Sequence, residues 1–335
     1  MSFSFGDRYL LFDGAMGTML MNSGMKAGAA PELLCISQPD LITDIHRRYV
    51  EAGADVITTN TFGANRFKLP AGTDVTSVVS ASVACAKASG AKYIALDVGP
   101  TGAMLPPLGD TSPDLMYDAF AEQIKAGEKA GADLVIIETM SDMLEAKTAL
   151  LAARENSSLP VFLTMSFNEE GRTFTGTSAA AAAITFSGLA DAFGANCSAG
   201  PDQLENTIAQ IARFSSLPVI AQPNAGMPQM KDGESIYTMT PDEFCTHMCK
   251  LINAGASIIG GCCGTDPRFI SALRALTAGK TPPVRTPCRV TACSGSIDPC
   301  IFGGRFVTVG ERINPTGKKK VREAFRNKDL SFIVS

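Results

Sequence analysis

Histidine is nearly missing from this chain: 335 residues contain only His46 and His247. Histidine-based acid–base catalysis and a histidine-rich metal site are therefore poor readings, and any metal site must be built from sulfur and oxygen. Long apolar runs are missing too. No uninterrupted run reaches about 18 residues, and Asp7 and Arg8 break the apolar opening MSFSFGDRYLLFDG. Neither a membrane span nor a signal peptide is expected, and a cytoplasmic location follows by default. A strong charge of one sign is also lacking. The net charge of -4 supplies no electrostatic reason for nucleic acid or an anionic membrane as partner. With 45% hydrophobic and 19% charged residues, the composition is that of an ordinary globular protein.

Cysteine, by contrast, is plentiful, at ten residues. A disulfide framework suits small secreted domains, whereas in a long, apolar-rich chain cysteines more often bind metal, do chemistry or pack. The apolar residues fall in short runs that end in small or polar residues. They begin at Tyr9, Ala54, Lys92, Ala132, Pro160, Ala190, Pro218 and Ala256. Near-continuous apolar runs are the pattern of buried parallel strands. Between them lie segments of helical spacing, such as PDLITDIHRRYVEAGA and TPDEFCTHMCKLINAGA, with Ser, Thr or Asp near a Pro at their starts. The joints EAGADVI, KAGADLVI and NAGASII repeat a helix-ending Gly before a strand. Eight such units over residues 10 to about 280, with no nucleotide fingerprint, predict an α/β fold of the (β/α)8 TIM-barrel type rather than a doubly wound sheet. Strand-end polar groups then meet on one face. After Lys280 the Pro-, Ser- and Thr-rich segment TPPVRTPCRVTACSGSIDPC reads as an irregular linker. A strand, a Gly-containing loop and a basic helix are expected beyond it.

The sulfur-bearing motifs lie at strand ends. Cys197 closes the sixth run in GANCSAG, and Cys262 and Cys263 close the eighth in GGCCGT. Adjacent strand residues point to opposite faces, so two neighbouring thiols meet one ion only where the backbone leaves strand geometry. Gly260, Gly261 and Gly264 permit that departure. Three thiolates with an open position are the layout of a catalytic zinc site, and zinc accepts a substrate sulfur as its fourth ligand. A thiol of ordinary pKa, about 8.5, is then delivered as thiolate at neutral pH. The plainer reading of a lone Cys-Cys, a packed pair or vicinal disulfide, is outweighed by the glycines and by Cys197. Cys245 and Cys249 read as helix packing. Cys288, Cys293 and Cys300 fit no iron–sulfur spacing, and Cys35 and Cys85 have no context.

FDGAMGT, TNTFGAN, DVGPTG, IETM, GANCSAG, QPNAG and GGCCGT, in this order, resemble the homocysteine-binding domain of the cobalamin-dependent methionine synthases. The resemblance runs from residue 8 to about 280, and FVTVGERINPTG resembles the start of the folate-binding barrel that follows in that family. It implies a homocysteine-binding zinc barrel over residues 1–282, a linker over 283–302, and over 303–335 an incomplete folate (pterin)-binding domain or a docked tail. The implied reaction is methyl transfer from methylcobalamin, bound by another domain or protein, to zinc-bound homocysteine. Implied partners are homocysteine, a corrinoid (cobalamin-binding) domain or protein and a folate-binding domain, with the chain either a piece of a longer protein or a short form. Two alternatives stay open. One is the same barrel with betaine or S-methylmethionine as donor, and the other is a non-enzymatic zinc-binding module.

A zwitterionic substrate needs a carboxylate for its ammonium and N–H donors for its carboxyl group. Asp13 and Glu138 are the candidates for the first, and the backbone N–H groups of Gly14 and Ala15 for the second. Asn224 is expected to orient the substrate or take the fourth zinc position in its absence. Asp13 reads equally as a turn residue, and Glu138 as a rim ion pair. Asn60, Thr61 and Asp97 line the pocket or stabilise loops.

Overall fold

The structure is a computed structural model that describes residues 8–25, 28, 30–231, 234–304, 306–308, 310, 314–329 and 331. Eight strands form one parallel sheet: β1 Leu10–Leu11, β2 Val56–Thr58, β3 Tyr93–Val98, β4 Leu134–Met140, β5 Val161–Met165, β6 Ala192–Asn196, β7 Val219–Gln222 and β10 Ala256–Ile259. The small strands β8 Gln229–Lys231 and β9 Glu234–Ile236 form an antiparallel pair between β7 and β10. The sheet curls until β1 meets β2, where Phe12 bridges Val56 and Asp13 N–H donates to Val56 C=O at 3.1 Å. Every expected strand run thus contributes one strand of a (β/α)8 barrel.

The helices in chain order are α1 Met16–Asn22, α2 Leu34–Ser37, α3 Pro39–Glu51, α4 Val75–Ala88, α5 Pro113–Ala130 and α6 Met143–Asn156. They continue with α7 Ala179–Phe186, α8 Glu205–Phe214, α9 Pro241–Ala254, α10 Pro267–Thr277 and α11 Lys319–Asn327. Local chemistry sets their ends. Before α9, Thr240 and Glu243 form a reciprocal capping box, with Pro241 in the first turn. Gly131 ends α5 at φ +88°, a left-handed conformation that costs glycine nothing. Among the described residues no helix is long and apolar enough to cross a membrane.

The aspartates before β2, β4 and β6, two of them in the repeated Gly-Ala-Asp joints, have a second role that sequence alone does not show. Asp55 accepts from Leu11 N–H at 3.1 Å, Asp133 from Ile94 N–H at 2.8 Å and Asp191 from Val161 N–H at 2.7 Å. Each aspartate before an even-numbered strand thereby ties the preceding strand and pairs an amide at the sheet's edge.

Inside the barrel, Phe12, Val56, Ala95, Ile136, Phe162, Ile220 and Ile258 belong to a buried cluster separate from the helix-facing core. Two residues further along five of these strands, on the same face by alternation, stand Thr58, Asp97, Glu138, Thr164 and Gln222. The interior therefore changes from apolar to polar toward the strand C-termini.

By its contacts the chain divides into one unit of residues 1–289 with 293–300 and another of 290–292 with 301–335. In the first unit, Arg285 donates to the carbonyls of Ala212 at 3.0 Å and Ser215 at 3.1 Å, holding the segment after α10 to the end of α8. Within the segment read as irregular, β11 Thr291–Ser294 and β12 Pro299–Phe302 pair as a two-stranded sheet. The strand expected near 306–310 is not found at 306–308 or 310, and residues 305, 309 and 311–313 lie outside the described residues. Gly303, at φ +101°, and Gly304 end β12 before that point. In the second unit the expected basic helix is α11, preceded by a turn in which Asn314 Oδ1 accepts from Thr316 and Gly317 N–H, each at 2.9 Å.

Candidate metal and thiol site

Three cysteine sulfurs converge at the C-terminal rim of the barrel. The Sγ atoms of Cys197, Cys262 and Cys263 lie within 4.8 Å of one another, and those of Cys197 and Cys263 are 3.9 Å apart. The segment after β7 brings them together. Cys197 N–H donates to Gln222 C=O at 3.2 Å, Cys262 N–H to Pro223 C=O at 2.8 Å, and Ala225 N–H to Cys263 C=O at 2.9 Å. The QPNA stretch is thus a splint between the two cysteine loops. Cys262 and Cys263 lie beyond the end of β10, in a turn closed by Thr265 N–H donating to Cys262 C=O at 3.1 Å, with Gly264 at φ +81°. Departure from strand geometry lets neighbouring thiols share a side. Cys197 makes the same departure without glycine, at φ +58°.

The donor set fits a tetrahedral thiophilic metal. Zinc with bonds of about 2.3 Å to sulfur sets ligand sulfurs about 3.8 Å apart, close to the spacing found here. Without a metal, hydrogen bonds from Cys197 and then Cys262 hold the Cys263 thiol down at about 3. Cys262 is pushed well above its ordinary value by its hydrogen bonds to Cys197 and Cys263 and by burial. Three clustered thiols of which one is held toward its thiolate form suit a cation, since metal binding displaces the remaining thiol protons.

Carboxyl groups lie deeper in the mouth. Asp13 is buried, and its oxygens accept from Thr58 N–H at 2.9 Å and Thr58 Oγ1 at 2.8 Å. Burial raises it to about 7. Glu138 is half-buried and is raised to about 8 by burial, then by Cys197 and Asp13. Asp97 is raised by burial and by Glu138 and Asp13, and its Oδ1 has no hydrogen-bond partner among the described residues. Among the described residues none of these three carboxyl groups forms an ion pair, although Lys68 opposes the rise of Asp97, and such a site favours an incoming ammonium.

Asn224 is buried, its N–H donates to Ala199 C=O at 3.0 Å, and its Oδ1 has no partner among the described residues. Ala15 N–H donates to Thr265 Oγ1 at 3.3 Å. A Cβ on Gly14 would come within 2.6 Å of that same hydroxyl, so the close approach of the two loops needs glycine there. Asn60 and Thr61 are engaged in loop bonding: Asn60 Nδ2 donates to Pro31 C=O at 2.8 Å, and Thr61 Oγ1 to Asp97 C=O at 2.7 Å. Cys35 and Cys85 are buried, and Cys245 packs against the main core.

Two further residues reach the sulfur cluster. Tyr237, just after β9, helps hold the Cys263 thiol down and would collide with any Cβ on Gly264. Asn196 Nδ2 lies 4.0 Å from Cys262 Sγ. Its position immediately before Cys197 was the one available signal for Asn196, and Tyr237 had none.

Fold and site together define a (β/α)8 barrel whose rim carries three convergent thiols above buried carboxyl groups. Residues 10–277 match the family described as homocysteine S-methyltransferase, and the chain belongs to that family of methyltransferases. Methionine synthases of Mycobacterium tuberculosis (strain ATCC 25618 / H37Rv) and Mycobacterium leprae (strain TN) are each 31% identical to it over 96% of this chain. The chain spans 29% of the length of those relatives. The metallated form of the homocysteine methyltransferase MmuM from Escherichia coli resembles it with a TM-score of 0.69 at 25% identity, covering 80% of this chain and 96% of that one. The oxidized form of MmuM shares the fold with a TM-score of 0.68.

Proposed function

We propose that this chain binds zinc through Cys197, Cys262 and Cys263 and methylates homocysteine to methionine, with methylcobalamin as the methyl donor. The convergence of three sulfurs over buried carboxyl groups carries this reading. Bound zinc would hold the substrate sulfur as a thiolate at neutral pH. Asp13 and Glu138 receive the substrate ammonium, and the incoming positive charge releases the protons that burial keeps on them. Gly14 and Ala15 present N–H groups to the substrate carboxylate, which displaces the long bond to Thr265 Oγ1. Asn224 Oδ1, buried and without a partner among the described residues, would orient the substrate or take the fourth zinc position in its absence. With a methylcobalamin donor held by another domain or protein, the homocysteine sulfur would attack the methyl carbon and the donor would leave with the electron pair as cob(I)alamin, so no general base beyond the metal would be required.

The region beyond the barrel supports the donor. The methionine synthases align over 96% of the chain, past the family match that ends at residue 277. A corrinoid-binding domain or protein would then supply the methyl group, and a folate-binding domain would recharge it. A second reading, a small donor such as S-methylmethionine or betaine, stays open because the family match covers residues 10–277 and names no donor.

The test assays zinc content and methyl transfer to homocysteine from methylcobalamin, S-methylmethionine and betaine in parallel. Turnover with methylcobalamin alone is expected. Turnover only with a small donor would establish the second reading, and full activity in zinc-free protein would overturn the role of the metal.

A further inference from the structure

Thr139 sits in the left-handed region at φ +61°, an outlier for a β-branched residue. The pairing of β4 with β5 explains where the strain lies. Ile137 faces Leu163 and Met140 faces Met165, so three steps on β4 match two on β5. The extra residue is a bulge at Glu138–Thr139, a device that re-aims a side chain. Something must hold the strained turn in place.

Asn196 does so from two strands away. Its Oδ1 accepts from Thr139 N–H at 3.0 Å and from Thr164 Oγ1 at 2.9 Å. Its Nδ2 donates to Thr139 Oγ1 at 2.8 Å and lies 4.0 Å from Cys262 Sγ. Both acceptor sites and both donor hydrogens of the amide are thereby used, in a fully buried side chain. The same residue ends β6 immediately before Cys197.

We propose that Asn196 is the positioning residue of this site: it locks the Thr139 bulge that aims Glu138 into the mouth and braces Cys262 in the same act. The proposal deepens the homocysteine reading and rests on it for the role of Glu138. The lock itself stands on geometry.

Asn196→Ala leaves Thr139 strained, with its half-buried N–H and hydroxyl stripped of their Asn196 partner. The expected result is a KM for homocysteine raised about 10-fold or more, with a smaller loss in kcat and with zinc retained. The melting temperature falls as well. Thr139→Gly in the Asn196→Ala background removes the strain, because glycine takes a positive φ freely. It is expected to recover most of the melting temperature and to bring KM back to within about 3-fold of wild type. Should Asn196→Ala fail to fold, Asn196→Asp keeps the acceptor for Thr139 N–H and loses the donors. It is then expected to raise KM by less than Asn196→Ala would, about 3-fold. An unchanged KM in a folded Asn196 variant, or no thermal rescue by Thr139→Gly, would overturn the proposal. The melting series needs no substrate and so judges the lock alone. If the cobalt-substituted wild type shows no spectral response to homocysteine, the substrate reading fails, and with it the role given to Glu138.

Discussion

Cys197 and Cys263 bring their sulfurs to 3.9 Å across 66 positions of sequence, joined by a backbone splint in which Gln222 and Ala225 bond one cysteine loop each. The pair is placed by backbone amides of the rim rather than by flexible side chains. Such a site would be preformed before a metal arrived, and rigid donors would keep one coordination position available for substrate.

Replacing one sulfur should therefore abolish the site. Cys262→Ser is expected to reduce bound zinc from about one per chain to a trace and to lower methyl transfer at least about 100-fold. Metal analysis and thiol titration of wild type and variant check it. Stoichiometric zinc in the variant would count against the three-sulfur assignment.

Tyr237 supports the same cluster from outside. It helps hold the Cys263 thiol down, and outer-sphere partners of metal ligands typically tune affinity. Tyr237→Phe is expected to weaken zinc binding about 10-fold with the fold intact, as read by competition with a chromogenic chelator. An unaltered affinity would make the contact simple packing.

The buried carboxyl groups give the metal-free barrel an unusual pH dependence. Asp13 rises from 3.8 to about 7 on folding, so the folded state holds a proton that the unfolded chain has lost. The stability that Asp13 contributes is then fully present below the unfolded value and is lost as pH rises toward 7. Urea denaturation of metal-free protein across that range should show the decline, and Asp13→Asn should flatten it. A stability that climbs over the same range in wild type would mean that Asp13 is ionised in the fold.

The barrel interior offers a test independent of the site. Phe162 is fully buried, with its ring centroid 6.1 Å from that of Phe12. Phe162→Ala should cost about 3–5 kcal/mol in denaturant unfolding, because the closed ring of strands cannot collapse into the space. A loss under about 1 kcal/mol would show that the interior repacks.

Much of this was legible in the sequence. Eight apolar runs and the repeated Gly-Ala-Asp joints define the barrel because strand burial and helix-ending glycines are local properties. Cys197, Cys262 and Cys263 were legible because strand ends must meet at one rim in such a fold. The small β8–β9 pair and the β11–β12 sheet escaped, since short strands with mixed polarity lack a periodic signature.

What the sequence alone determined is the architecture and the identity of the chemical groups: a parallel barrel, three thiols and acidic strand ends. Only the tertiary structure decided how they act on one another. Asn196 reaches Thr139 across 57 positions and Cys262 across 66, and Thr58 takes both oxygens of Asp13 across 45. No local pattern encodes such bonds, because they depend on which strands become neighbours when the sheet closes. The raised carboxyl groups have the same origin: burial and the proximity of like charges exist only once the barrel has formed.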